Sequence, residues 1–190
     1  PSPSLKRWAK FIDMTYRFKA IPTKYNGVQY RSRLEARWAA FFDIIKWKHI
    51  YEPFDLDKWS PDFKLVTENG QKFLVEVKPQ ELVNISLRLK IGEASNYSDG
   101  ILIVNDSPFI YPYPNCIGLT SLFGKTKNHK EEDDFEFCTS VIMNLHNEGL
   151  GIFNLCSYDD EVHSNFDTAT EFCLPMWIEA GNQVKFLKHS

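Results

Sequence analysis

Two apolar β-type runs lie close together in this chain, and each carries a carboxylate. The first, Pro61 to Thr67, holds Asp62. The second, Lys72 to Lys78, holds Glu76 and, two residues on, Lys78. Charged residues are rare inside such runs unless they are paired, solvated or bound to metal. The turn between the runs decides where these charges point, so it constrains the fold and the chemistry together.

Glu76 and Lys78 share one face of their strand, while Phe73, Val75 and Val77 take the other. The face of Asp62 depends on the loop. A two-residue Asn69-Gly70 turn pairs Val66 with Phe73 and sets Asp62 opposite Val77. The two carboxylates then point to opposite faces. A three-residue loop, Glu68-Asn69-Gly70, with Gly70 in the left-handed position as a bulge, pairs Thr67 with Gln71, Leu65 with Phe73 and Phe63 with Val75. Asp62 then falls opposite Glu76, with Cβ atoms roughly 4.5–5.5 Å apart. Register follows apolar matching, which selects the three-residue loop. Two carboxylates with a lysine just beyond the second suit metal-assisted phosphodiester hydrolysis. The carboxylates hold Mg²⁺, and the lysine orients water or steadies charge on the phosphate.

Upstream, Ser32 to Trp47 is expected to be a helix, because Leu34, Trp38, Phe41, Phe42 and Ile45 recur with helical spacing. Ser32-x-x-Glu35 reads locally as a capping box. His49 to Phe54 is a strand candidate ended by Pro53. Leu82 to Tyr97 reads as a second helix, and Ile101 to Val104 as a strand buried on both faces. A helix over Leu5 to Phe18, a turn at Asn26-Gly27, an exposed loop over Gly124 to Asp134, strands over Phe135–Met143 and Gly151–Tyr158, and a helix over Met176–Leu187 complete the expectation. The order helix, three strands, helix, strand implies an α/β domain with a mixed central sheet flanked by helices.

The 190 residues are 43% hydrophobic and 15% aromatic, ample for a packed core. No apolar run is long enough to span a membrane, and the basic N-terminus lacks the apolar stretch of a secretory signal, so a cytoplasmic protein is expected. Cys116, Cys138, Cys156 and Cys173 form no C-x₂-C pair and are read as buried free thiols. Residues 1–48 carry eleven Lys and Arg against three Asp and Glu, whereas residues 49–190 carry eleven against twenty-two. A basic first quarter suggests a polyanion-facing side.

Four stretches in this order, Arg31-Ser32-Arg33-Leu34-Glu35-Ala36-Arg37-Trp38, Tyr51-Glu52-Pro53, Pro61-Asp62-Phe63 and Glu76-Val77-Lys78-Pro79, resemble the PD-(D/E)XK nuclease superfamily. They are similar to the phage endonuclease I type of Holliday-junction resolvase and to the endonuclease subunits of heteromeric transposases. Uncharacterised phage-borne members also share the first helix and a terminal segment like Trp177-Ile178-Glu179-Ala180-Gly181-Asn182. The core resemblance covers about residues 27–105.

The resemblance implies a restriction-endonuclease-like core over 31–105, a basic arm over 1–30 and a C-terminal α+β elaboration over 106–190 packed on the core. It implies that Asp62, Glu76 and the Val77 carbonyl are metal ligands and that Lys78 is the catalytic lysine. It draws Glu35 from a capping role into the metal site and makes Glu52 a candidate extra carboxylate. Arg31, Arg33 and Arg37 are expected at phosphate. The implied activity is Mg²⁺-dependent cleavage of DNA, with Mn²⁺ able to substitute, in phage DNA processing, recombination or repair. Two alternatives stay open. One is a nuclease subunit active only with a transposase or packaging partner, and the other a non-catalytic DNA-binding or assembly protein on a nuclease fold. The expected partners are DNA and either a second copy of the chain or another protein.

Overall fold

The computed structural model describes residues 20–55, 59–78, 98, 100–108, 116–122, 136–145, 149–154 and 172–185. The expected helices over Leu5–Phe18 and Leu82–Tyr97 and the loop over Gly124–Asp134 lie outside the described residues. What is described is a mixed α/β arrangement. A small hairpin pairs β1 (Thr23–Tyr25) with β2 (Val28–Tyr30) across the Asn26-Gly27 turn, whose two residues both take positive φ. That is the two-residue hairpin geometry the Asn-Gly dipeptide favours.

Helix α1 (Arg33–Ile44) follows. Ser32 caps it, its hydroxyl accepting from the Glu35 N–H at 3.1 Å. Its apolar stripe is buried: Trp38, Phe41 and Phe42 are fully enclosed and Ile45 nearly so. Burying side chains of this size stabilises the fold by about 1.5–3 kcal/mol each. The helix stops three residues before the expected end. The Lys46 N–H bonds Asp43 O and the Trp47 N–H bonds Phe42 O, while Lys46 itself takes φ 60°. Trp47 then stacks on Phe42, with ring centroids 6.4 Å apart. This is a Schellman stop with lysine where glycine is usual.

Seven strands form one sheet in chain order: β3 (Lys48–Tyr51), β4 (Phe63–Val66), β5 (Lys72–Val77), β6 (Gly100–Val104), β7 (Cys116–Leu122), β8 (Glu136–Leu145) and β9 (Gly149–Asn154). Neighbours are antiparallel except β5 and β6, which run parallel. The strands of the C-terminal region therefore continue the sheet that β3–β6 begin. β3 is shorter than expected because Glu52 turns into left-handed backbone, at φ 44°.

The β4–β5 register pairs Phe63 with Val75 and Leu65 with Phe73. The Gly70 N–H bonds Thr67 O, the Thr67 N–H bonds Gln71 O, and Gly70 takes φ 88°. The expected three-residue loop and its apolar register are both present. The same loop reaches the far edge of the sheet. Glu68 accepts from the Leu150 N–H at 2.8 Å, and the Gln71 amide pairs with both backbone groups of Ile152. The sheet thus coils until its last strand meets the β4–β5 loop, and edge hydrogen-bonding groups of β9 are occupied.

One sheet face packs on α1 and on α2 (Cys173–Lys185), with Phe63, Leu65, Val75, Leu102, Ile117, Ile142 and Ile152 in a common core with Phe42 and Trp177. On the other face Leu74, Ile101, Ile103 and Val141 are also buried. Helix α2 docks on α1 through Trp177, which lies 4.6 Å from Trp38. Arg37 stacks on the Trp177 ring at 3.9 Å and donates twice to the Trp177 carbonyl. Cys173 is buried. Among the described residues no helix is long and apolar enough to cross a membrane.

The left-handed lysine yields a stability test. Lys46→Gly removes the cost of a β-carbon at positive φ and is expected to stabilise the protein by about 0.5–1 kcal/mol. Urea denaturation measures it; a less stable variant contradicts this account of the helix stop.

Candidate active site

One end of the sheet gathers the charged residues. There β3 ends at Tyr51, β4 begins just after Asp62, β5 ends just before Lys78, and α1 begins with Glu35 in its first turn. The β4–β5 ladder is paired up to Phe63 and Val75, so Asp62 and Glu76 are the next residues on the two strands. Beyond that point the strands open. The Asp62 carboxylate fills the gap and accepts from the Val77 N–H at 2.7 Å. The Lys78 N–H bonds Val104 O, which holds the end of β5 against β6.

Three carboxylates are buried here: Asp62 is 6% exposed, Glu76 5% and Glu35 8%. Each is held by donors. Glu76 accepts from the Trp59 indole N–H at 2.7 Å on Oε2, and Lys78 Nζ contacts Oε1. Asp62 accepts from Val77 on Oδ2 and from Arg31 Nη2 at 2.5 Å on Oδ1. Glu35 accepts from the Ser32 hydroxyl at 2.8 Å, from the Tyr51 hydroxyl at 2.5 Å and from the Arg31 N–H at 3.2 Å. Arg31 Nε also pairs with Glu52 at 2.9 Å and lies 3.9 Å from Glu35. Among the described residues no three His, Cys, Asp or Glu side chains surround a single point as a ready-made metal cage. Their oxygens are turned instead to Arg31, Lys78, Trp59 and Tyr51.

Burial and crowding shape the protonation here. Desolvation pushes the Asp62 carboxyl up to about 7 from 3.8; Glu76 and Glu35 push it further the same way, while the Val77 N–H and Arg31 oppose. Burial also raises Tyr51, reinforced by its bond to Glu35, so it stays a hydroxyl donor.

The residues singled out from sequence divide by position. Asp62, Glu76, Val77, Lys78, Glu35, Glu52 and Arg31 share this end of the sheet. Arg33 is exposed on the first turn of α1. Arg37 faces α2, where Trp177 takes both its charge and its hydrogen bonds. Two contributors gave no separate signal. Tyr51 and Trp59 look like ordinary core aromatics, yet each points its one polar atom at a carboxylate. Trp38, Phe41 and Phe42 are core, as their spacing suggests. Comparison with known protein families, with curated proteins and with solved structures finds no match.

The raised Asp62 value sets a pH dependence in metal-free buffer. Between pH 4 and 7 the folded protein keeps a proton that the unfolded chain has released. The stability tied to this group is therefore full below about 4 and is lost as the pH rises through about 7. A shift of about 3 units corresponds to at most ~4 kcal/mol. Lost attraction to Arg31 reduces the gain from removing the charge. In EDTA at pH 8, Asp62→Asn is expected to be about 1–3 kcal/mol more stable than wild type and to show a flatter stability profile between pH 5 and 8. Denaturant titrations across that range check it, and a less stable variant at pH 8 contradicts it.

Proposed function

We propose that the chain is a metal-dependent DNA endonuclease built on a restriction-endonuclease-like core. The observation that carries this reading is the meeting, at one end of a mixed sheet, of Asp62, Glu76, Glu35 and Lys78. Three carboxylates buried together are costly to fold even when paired, and such clusters concentrate where a cation or a reaction uses them. A solvated surface strand gives none of this burial.

The donor set fits Mg²⁺ or Mn²⁺. It consists of oxygen ligands, and a divalent cation would offset both the burial of the Asp62 charge and its repulsion by Glu76 and Glu35. Asp62 and Glu76 would hold the ion, with Glu35 and the Val77 carbonyl as further ligands. When bound, the ion lowers the pKa of a water and neutralises charge on the phosphate.

The chain's own residues do the rest. The Val77 N–H fixes one oxygen of Asp62, and the Trp59 indole fixes one oxygen of Glu76. Both carboxylates are thereby oriented before substrate arrives. Ser32 and Tyr51 do the same for Glu35. Lys78 is about half exposed beside Glu76, so its ammonium reaches both the carboxylate and solvent. There it orients the attacking water and steadies the charge that grows on the phosphate oxygens. As water bonds to phosphorus in line with the leaving oxygen it gives a proton to solvent, the P–O bond breaks, and the departing oxygen takes a proton from solvent. Arg33, exposed on the first turn of α1, leaves its charge available to a phosphate of the bound strand. The basic charge of residues 1–48 favours the approach of a polyanion such as DNA.

Wild type is expected to cut DNA in Mg²⁺ or Mn²⁺ on a panel of linear, nicked, branched and single-stranded substrates. Lys78→Ala should lose about 100-fold or more. Trp59→Phe, which keeps the ring and removes the donor, should lose about 10-fold with its fold intact. Equal inertness of wild type and Lys78→Ala on every substrate sinks the enzyme reading. Cleavage that appears only in a reconstituted complex would instead single out the partner-dependent subunit.

A further inference from the structure

The two central carboxylates are held in a divided way. On each, one oxygen takes an uncharged N–H: Val77 on Asp62 Oδ2, and Trp59 on Glu76 Oε2. The other oxygen of each meets a cation: Arg31 at Asp62 Oδ1, and Lys78 at Glu76 Oε1. The uncharged donors come from a strand backbone and a buried indole, both fixed by packing. The cations come from long side chains, Arg31 57% exposed and Lys78 45%. The two cations are therefore the more exposed partners, each on the oxygen that the fixed N–H leaves over.

Arg31 is the more telling of the two. Its guanidinium touches Asp62 and Glu52 and lies near Glu35. A planar fork of this kind satisfies several carboxylates at once, as a divalent ion does. Glu52 is exposed and held outside the buried set, with its own N–H on Asp62 O. It gives Arg31 a second resting place when the bond to Asp62 opens, and pivoting about Nε keeps that contact.

We infer that Arg31 is an internal counter-cation that occupies Asp62 in the metal-free protein and must leave it for a divalent ion to bind there. This rests on the reading of Asp62 and Glu76 as metal ligands. In the metal-free fold Arg31 offsets carboxylate repulsion, and in the loaded protein it is released toward solvent on the Glu52 side. Metal binding and the exposure of a phosphate-seeking guanidinium are thereby linked. The same competition weakens the metal site, because the ion must displace a charge-assisted hydrogen bond.

The test measures Mn²⁺ affinity without DNA, by the electron paramagnetic resonance signal of free Mn²⁺, at pH 8, where proton competition for Asp62 is small. Four proteins are compared: wild type, Arg31→Gln, Arg31→Lys and Arg33→Gln. The last removes an equal charge two residues away and controls for long-range attraction. Arg31→Gln is expected to bind Mn²⁺ about tenfold more tightly than wild type, with Arg33→Gln within about twofold of wild type. Arg31→Lys, which keeps the charge but not the fork, is expected between wild type and Arg31→Gln. No gain in Arg31→Gln, or an equal gain in Arg33→Gln, overturns the exchange. Wild-type DNA cleavage is scored separately. Cleavage without a gain in Arg31→Gln leaves the nuclease reading standing and removes the exchange. Tighter binding in Arg31→Gln without cleavage does the reverse.

Discussion

The register of the β4–β5 hairpin is the constraint on which the rest of the structure depends. Gly70 in the left-handed region lets a three-residue loop close, and that loop aligns Phe63 with Val75 and Leu65 with Phe73. The alignment seals one face of the sheet against α1. Because side chains alternate along a strand, it also fixes Asp62 beside Glu76. A slip of one residue would turn apolar groups to the wrong face and part the two carboxylates in the same movement. The loop does further service at its tip, where Glu68 and Gln71 close the far edge of the sheet on β9. One short segment thus ties core packing, sheet curvature and site geometry together.

Charge balance follows from that geometry. Packing forces three carboxylates into a region of low solvent access, and desolvation, reinforced by repulsion from Glu76 and Glu35, raises the Asp62 pKa. Arg31 and Lys78 offset part of it, while Tyr51, Trp59, Ser32 and the Val77 N–H supply directed hydrogen bonds. Groups arranged this way sacrifice stability at neutral pH, a cost typical of sites kept for function. The aromatic core beneath, with Phe42, Phe63, Trp38 and Trp177 in mutual contact, provides the rigid support that such a site needs.

Much of this was legible in the sequence, for identifiable reasons. The hairpin register could be read because apolar matching selects the three-residue Glu68-Asn69-Gly70 loop over the two-residue Asn69-Gly70 turn. Helix α1 could be read because its five apolar residues repeat with helical period. Its end could not, because Lys46 at positive φ carries none of the signal a glycine gives. The structural partner of Arg37 was also hidden: Trp177 lies 140 residues away, and the family resemblance alone set this arginine at phosphate. Trp59 was invisible as a site residue, since its hydrophobic bulk explains its burial before its polar atom is considered, and Tyr51 stood in a motif stretch without a role of its own. Glu35 shows the reverse. Its local pattern is a cap, and the Ser32–Glu35 bonds are present, yet the same carboxylate also meets Tyr51 and Arg31 at the charged end of the sheet.

The central claim is that Asp62 and Glu76 share a divalent ion with a DNA phosphate. A crystal of the protein with a short duplex and Mn²⁺, measured for anomalous scattering, tests it most directly. The account expects one strong manganese peak between the Asp62 and Glu76 carboxylates, with a phosphate oxygen among its ligands and Lys78 beside it. Saturating Mn²⁺ with no peak at this position, or a peak bound by other residues, would contradict it.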